Sequence, residues 1–195
     1  MNNKYKDAIL YKILRPMAKG LFFLLYTPKI VGRENIPAKG RIILAGNHTH
    51  ILDSIFLMSS TRRCIHFLAK KELWSGFKKI LFGNMGLIPV DRSIHDHSSL
   101  QTAEEYLKNE KVIGIFPEGT TRKGRKHLLP FKIGAVKMAH DTDTMIVPFA
   151  ITGKYKIFSR NLKIVFDKPY KIGDSNLNKE NEKLRNKILF MIGEI

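Results

Sequence analysis

Apolar and polar residues alternate along this chain with two different periods. Short apolar runs at 30–32, 41–45, 64–69, 87–90, 112–116, 145–151 and 162–166 read as buried strands. Between most of them, apolar residues recur every three or four positions, the period of a helix with one buried face. Ser98 and Gln101 form a capping box ahead of Leu100, Ala103 and Leu107. A second helical stretch covers 131–140. A third starts at Asn178, with Leu184, Ile188, Met191, Ile192 and Ile195 on one face. Strands alternating with helices predict an α/β fold, a single domain whose mainly parallel, mixed sheet is covered by helices.

The opening of the chain follows another pattern. Over residues 4–26, Ile9, Ile13, Met17, Gly20, Leu21 and Leu24 fall on one helical face, with Lys12, Arg15 and Lys19 in a narrow stripe opposite. Pro16 predicts two short helices or a sharp kink. Residues 21–26 are apolar nearly all round, and Phe22 and Phe23 tip the apolar face. Such a basic, aromatic-tipped segment suits a bilayer interface, so residues 1–27 are expected to be an amphipathic membrane-docking element ahead of a domain at 28–195. The competing expectation is a helix packed on its own domain. No apolar run approaches the roughly 18–20 residues a spanning helix needs, and no small-residue cleavage site follows the segment as a signal peptide would require.

Charge narrows the choice of partners. The formal charge of +17, from 34 basic and 17 acidic residues, favours a polyanion: nucleic acid, an anionic membrane surface or a phosphorylated substrate. The run Arg122-Lys123-Gly124-Arg125-Lys126 fits nucleic acid, but the aromatics sit in apolar runs and not among basic residues as stacking platforms. Nucleic acid is therefore not expected as a partner. A lone Cys64 excludes an intramolecular disulfide, fits a reducing compartment and reads as a buried, inert thiol. The five histidines other than His48 and His50 lack a second ligand at metal-site spacing, and no metal is expected.

Candidate chemistry begins where the strand at 41–45 ends, in Gly46-Asn47-His48-Thr49-His50-Ile51-Leu52-Asp53. Ligands of open α/β sheets bind at that edge. On a regular helix His48 and Asp53 would lie about 140° apart, so they meet only if the chain turns between them. Asp53 could then accept a hydrogen bond from one imidazole nitrogen and leave the other free to take a proton from a hydroxyl. The plainer alternative makes Asp53 an N-cap and His48 a polar loop residue. Two further strands end in polar clusters, Asp91-Arg92 after 87–90 and Glu118-Gly119-Thr120-Thr121-Arg122 after 112–116, while Pro148 lies inside the apolar strand at 145–151. Arg92 and Arg122 suit bidentate phosphate binding, and Gly119 would let the backbone approach a ligand. A surface ion pair is the ordinary fate of either arginine. Their position after parallel strands, on the edge shared with His48, favours a site.

Together these stretches resemble the glycerolipid acyltransferases, specifically the 1-acyl-glycerol-3-phosphate acyltransferases. The resemblance rests on Asn47-His48 with Asp53, on Gly86 to Arg92, on Phe116-Pro117-Glu118-Gly119-Thr120-x-Arg122, and on the apolar strand around Pro148. It covers roughly residues 40–150, with the third block the most specific. It implies transfer of a fatty acyl group from acyl-CoA or acyl-ACP to the free hydroxyl of lysophosphatidic acid, giving phosphatidic acid in phospholipid biosynthesis. His48 would be the general base oriented by Asp53. Arg92 and Arg122 would bind the glycerol phosphate, with Glu118, Gly119 and Thr120 shaping that site. Lys70, after the strand at 64–69, is a weaker candidate for the phosphate, its alternative being a solvated lysine. His50 is excluded as the base by the family spacing. No cofactor is implied, the partners being membrane, lysophosphatidic acid and acyl donor. The expected location is peripheral or monotopic, at the cytoplasmic face of the cell membrane. The absence of a Gly-x-Ser-x-Gly elbow favours direct transfer over an acyl-enzyme. Glycerol 3-phosphate, another lysophospholipid or a lyso-ornithine lipid is the alternative acceptor.

Overall fold

The computed structural model describes residues 9–71, 83, 85–90, 97–122 and 127–194. Each apolar run read as a strand is one: β1 Lys29–Val31, β2 Ile42–Gly46, β3 Ile65–Lys70, β4 Ile88–Val90, β5 Val112–Ile115, β6 Met145–Thr152 and β7 Lys163–Phe166. They form one sheet in the order β1-β7-β6-β2-β5-β3-β4. Every neighbouring pair is parallel except β6 and β7. All five residues of the central β2 are buried, which is why its sequence is a continuous apolar run.

Among the described residues five helices flank the sheet: α1 Ile9–Tyr26, α2 Asp53–Ser60, α3 His97–Lys108, α4 Gly134–Asp141 and α5 Leu177–Ile192. Alternate strand residues point to opposite faces and build two cores. Ile43, Ala45, Ile113 and Ile146 meet α3, α4 and α5 through Ala103, Leu107, Val136, Met138, Leu184 and Ile188. Ile42, Leu44, Val112 and Val147 meet Phe56 and Leu57 of α2 and Phe22 of α1.

The opening segment departs from its sequence reading in three respects. α1 is one helix running through Pro16, not two pieces. A proline inside a helix costs about 3 kcal/mol. Tertiary contacts offset this: Phe22 and Tyr11 are buried, and burying an aromatic side chain contributes roughly 1.5–3 kcal/mol. Arg15 does not lie in a solvated stripe, because its Nε donates to the carbonyls of Thr61 (2.7 Å) and Met58 (3.2 Å) at the end of α2. That is where a helix offers unpaired acceptors and negative partial charge. Burial pulls the Arg15 guanidinium below its ordinary pKa. Phe22, expected at the membrane-facing tip, instead stacks on Phe56 at 5.2 Å.

The other helices differ at their ends. α3 already includes His97, so Ser98 lies within the helix, while the Ser99 hydroxyl donates to Pro89 O (2.9 Å) and ties α3 to β4. α4 begins at Gly134. Phe131, expected inside it, precedes it in the connecting segment and packs into the core. α5 is capped by Asn176, which accepts from Lys179 N (3.2 Å), and stops at Gly193, whose φ of 74° ends the helix. Its buried row is Glu180, Asn181, Leu184 and Ile188, with Met191 and Ile192 only half-buried.

The sheet order creates the crevice. β2 and β5 are neighbours, yet the chain leaves β2 through α2 to β3 on one side and β5 through α4 to β6 on the other. α2 and α4 lie on opposite faces, so the chain leaves β2 and β5 toward opposite sides of the sheet. Ligands of such sheets bind at this switch point.

Candidate active site

The turn after β2 begins with two close fits. A Cβ on Gly46 would lie 2.4 Å from the Phe149 ring and 2.5 Å from its carbonyl oxygen, so only glycine allows β6 this near. Asn47 then continues the β2–β6 ladder with its side chain: Nδ2 donates to Ile151 O (2.8 Å) and Oδ1 accepts from Ile151 N (2.7 Å). The buried amide stands in for a peptide group and holds the next residue, His48, at a defined point over the sheet edge.

His48 Nδ1 lies 2.9 Å from Asp53 Oδ2. A carboxylate can only accept, so Nδ1 carries the proton and Nε2 presents a lone pair. The ring stacks on Phe116 with centroids 4.2 Å apart, which fixes its plane. Its side chain keeps 18% of its exposure while Asp53 keeps none. The acid is buried and the base can be reached.

Asp53 is the first residue of α2, but it does not cap that helix. Its carboxylate turns back into the loop. Oδ2 accepts from Thr49 N (2.5 Å), His50 N (2.8 Å) and His48 Nδ1, while Oδ1 accepts from the Thr49 hydroxyl (3.1 Å) and the Tyr155 hydroxyl (2.5 Å). Five donors around one buried anion satisfy it as a charge requires. The positive end of α2 adds to this field.

The loop after β5 holds His48 by its backbone. Glu118, with a fully buried side chain, accepts from His48 N (2.6 Å) through Oε1 and from Leu129 N (3.0 Å) through Oε2. Arg122 N donates to His48 O (2.9 Å). The Arg122 guanidinium lies 3.4 Å from Glu118 Oε2 and 2.9 Å from Glu194 Oε1, and Glu194 also accepts from Leu128 N. Gly119 closes the turn that starts at Phe116 and has φ of 70°. Thr120 is exposed beside it. The structure therefore brings His48, Asp53, Glu118, Gly119, Thr120 and Arg122 into one cluster. Lys70 ends β3, but its side chain, like all of Arg92, is outside the described residues.

Two residues in the cluster carried no signal in the sequence. Lys132 lies over the Gly119 turn, its Cε 3.0 Å from where a Cβ on Gly119 would stand, and its N donates to Pro117 O (2.9 Å). Tyr155 sits 102 positions from Asp53. Burial, and then the Asp53 charge, raise the Tyr155 phenol far above its ordinary pKa, so it stays a neutral donor. It also stacks on His50 (4.6 Å) and meets Tyr26 and Phe22 edge-on. Hydrogen bonds to charged groups contribute about 1.5–3 kcal/mol. Tyr155→Phe is accordingly expected to lower turnover about tenfold or more and leave KM nearly unchanged. Steady-state kinetics on both substrates check this, and parallel changes in turnover and KM would contradict it.

Comparison with known proteins then places the chain. The acyltransferase family matches residues 27–152, and the chain belongs to that family. Curated relatives include the 1-acyl-sn-glycerol-3-phosphate acyltransferases of Borreliella burgdorferi and Bacillus subtilis. The first is 34% identical over 136 residues, covering 68% of this chain and 54% of the relative. The second is 32% identical over 171 residues, covering 82% of each. The chain thus spans about half the length of the Borreliella relative. The fold matches the crystal structure of the 1-acyl-sn-glycerophosphate acyltransferase PlsC from Thermotoga maritima, with a TM-score of 0.78 at 22% identity over 94% of this chain and 78% of that one.

Proposed function

We propose that the protein transfers a fatty acyl group from acyl-CoA or acyl-ACP to the sn-2 hydroxyl of 1-acyl-glycerol 3-phosphate, making phosphatidic acid for phospholipid synthesis. The observation that carries this reading is the dyad, a reachable imidazole whose far nitrogen is bound to a buried, five-donor carboxylate. In the proposed step His48 Nε2 takes the proton from the hydroxyl as its oxygen attacks the thioester carbonyl carbon. Asp53 stabilises the imidazolium that forms. The tetrahedral intermediate then collapses, the C–S bond breaks, and the thiolate leaves and takes the proton from His48. No cofactor enters the balance.

The acceptor phosphate is assigned to Arg122 and Arg92, with Lys70 as a further cation and Glu118, Gly119 and Thr120 as the frame. Arg122→Lys keeps the charge but loses the planar fork. It is expected to raise KM for the phosphate-bearing acceptor several-fold, with little change for the thioester. Equal effects on both substrates would make Arg122 part of the scaffold, as its contacts with Glu118 and Glu194 would then explain.

A lipid acceptor requires the enzyme to work at a membrane, and we assign α1 to docking at its cytoplasmic face. Ile13, Met17, Leu21 and Leu24, spaced along one side of α1, are 56–67% exposed, while Tyr11, Arg15 and Phe22 hold the opposite side to the domain. Among the described residues no helix is long and apolar enough to cross a membrane.

The reading is tested by incubating the protein with labelled acyl thioester and a panel of acceptors. The expected product is phosphatidic acid from lysophosphatidic acid, without acyl-protein in the mass spectrum. Preferred acylation of glycerol 3-phosphate, another lysophospholipid or a lyso-ornithine lipid would reassign the acceptor.

A further inference from the structure

Resting on the lipid-acceptor reading above, we propose that the loop at 154–160 is a second membrane-contacting element, which inserts Ile157 and Phe158 into an anionic bilayer beside the site. Apolar side chains normally leave the solvent, yet Phe158 is 71% exposed and Ile157 52%. The backbone works to keep them there. Phe158 has φ of 61° and Arg160 φ of 53°, left-handed values that are unfavourable for bulky residues. The Phe158 N–H donates to Leu25 O (2.7 Å), which anchors the loop against the last turn of α1. Leu21 and Leu24 are exposed on that same end of α1, so the anchor at Leu25 ties the loop to the docking face assigned above.

Charge identifies the occupant. Lys154, Lys156 and Arg160, all exposed, bracket the two apolar residues, with no acidic residue from 153 to 160. Apolar tips set among cations fit the boundary between acyl chains and anionic headgroups. The loop also reaches the chemistry. Tyr155, three positions before Phe158, bonds Asp53 and stacks on His50, whose neighbour Ile51 is 77% exposed. A bilayer seated on Phe158 would therefore lie next to the loop that carries His48, where a lipid hydroxyl must arrive.

The test uses the full chain and vesicles of equal parts phosphatidylcholine and phosphatidylglycerol, with pure phosphatidylcholine as the uncharged control. Phe158→Asn removes the ring and places at φ of 61° a residue that tolerates that conformation. Its melting temperature is expected to hold or rise, while partition onto the mixed vesicles falls about tenfold. Lys154→Gln with Lys156→Gln is expected to lower binding to the mixed vesicles about fivefold per lysine and to leave the control unchanged. Unchanged partition of Phe158→Asn would overturn the proposal. So would a lower melting temperature, which would mean that the ring packs on the domain, or loss of a lipid-free dimer, which would make the patch a self-interface. Leu21→Ser with Leu24→Ser separates the two readings. Binding lost there but kept in Phe158→Asn leaves α1 as the docking element without the loop, and binding kept in both moves the contact to another surface and overturns both assignments. Acyl transfer, read from the product panel, is judged independently of either result.

Discussion

Turnover of the His48→Ala protein is expected to fall about 10²–10⁴-fold, the usual value of a positioned general base, with the fold intact. The imidazole lies on the β2–α2 turn, where Asn47 fixes its approach, Phe116 its plane and Asp53 its tautomer. Truncation removes a partly exposed ring and leaves both backbone bonds of His48 to the β5 loop in place. The melting temperature should therefore change little. His50→Ala is the control. Its ring is turned away from Asp53, with Nδ1 accepting from Leu52 N (3.2 Å) and its face on Tyr155, so its loss is expected to be far milder. Turnover at saturating substrates, measured beside thermal unfolding, checks both. More than a tenth of parental turnover in His48→Ala would remove the assignment.

The second large effect is expected at Asp53, where two substitutions separate charge from structure. Asp53→Asn is nearly isosteric. Its oxygen can keep the bonds from His48, Thr49 and His50 that Oδ2 now accepts, and its amino group can face the hydroxyls of Thr49 and Tyr155, which can rotate to accept. What disappears is the negative charge beside the imidazolium. Turnover is expected to fall about 10²-fold or more while the melting temperature drops only modestly. Asp53→Ala instead strands five donors around a buried gap. Breaking a buried charged contact in this way costs about 3–5 kcal/mol, so this variant is expected to be strongly destabilised as well as inactive. Equal stability losses in the two variants would mean that Asp53 serves the fold more than the reaction.

The strand pattern was legible because a sheet covered on both faces leaves each strand as a short apolar run, and all seven runs form strands. The ends of the helices were less so. Phe131 shares the apolar spacing of α4 but stands outside it, since core burial can be reached from a connecting segment as well as from a helix. At α1 the pattern located a two-sided helix but not which side meets the domain. Arg15 reads as a solvated cation until the exposed carbonyls of α2 are placed beside it. Phe22 reads as a membrane tip until Phe56 stacks on it.

By itself the sequence determined the short-range part of the candidate site. His48 and Asp53 are five positions apart, and the glycine and hydroxyl residues from 118 to 122 lie in one turn, so local spacing carries their relation. What only the tertiary structure decided is everything that joins distant segments: Asn47 bonded to Ile151, Glu118 holding the backbone of His48, Glu194 on Arg122, and Tyr155 on Asp53. These contacts span 70 to 104 positions. Three of them arise because the sheet order sets β2 between β5 and β6, bringing together the strand ends that lead into these loops, while Glu194 is brought to Arg122 by the end of α5, which packs against α4 and β6. No local period or spacing encodes that adjacency. It follows from which apolar faces bury one another, and that is settled only when the whole chain has packed.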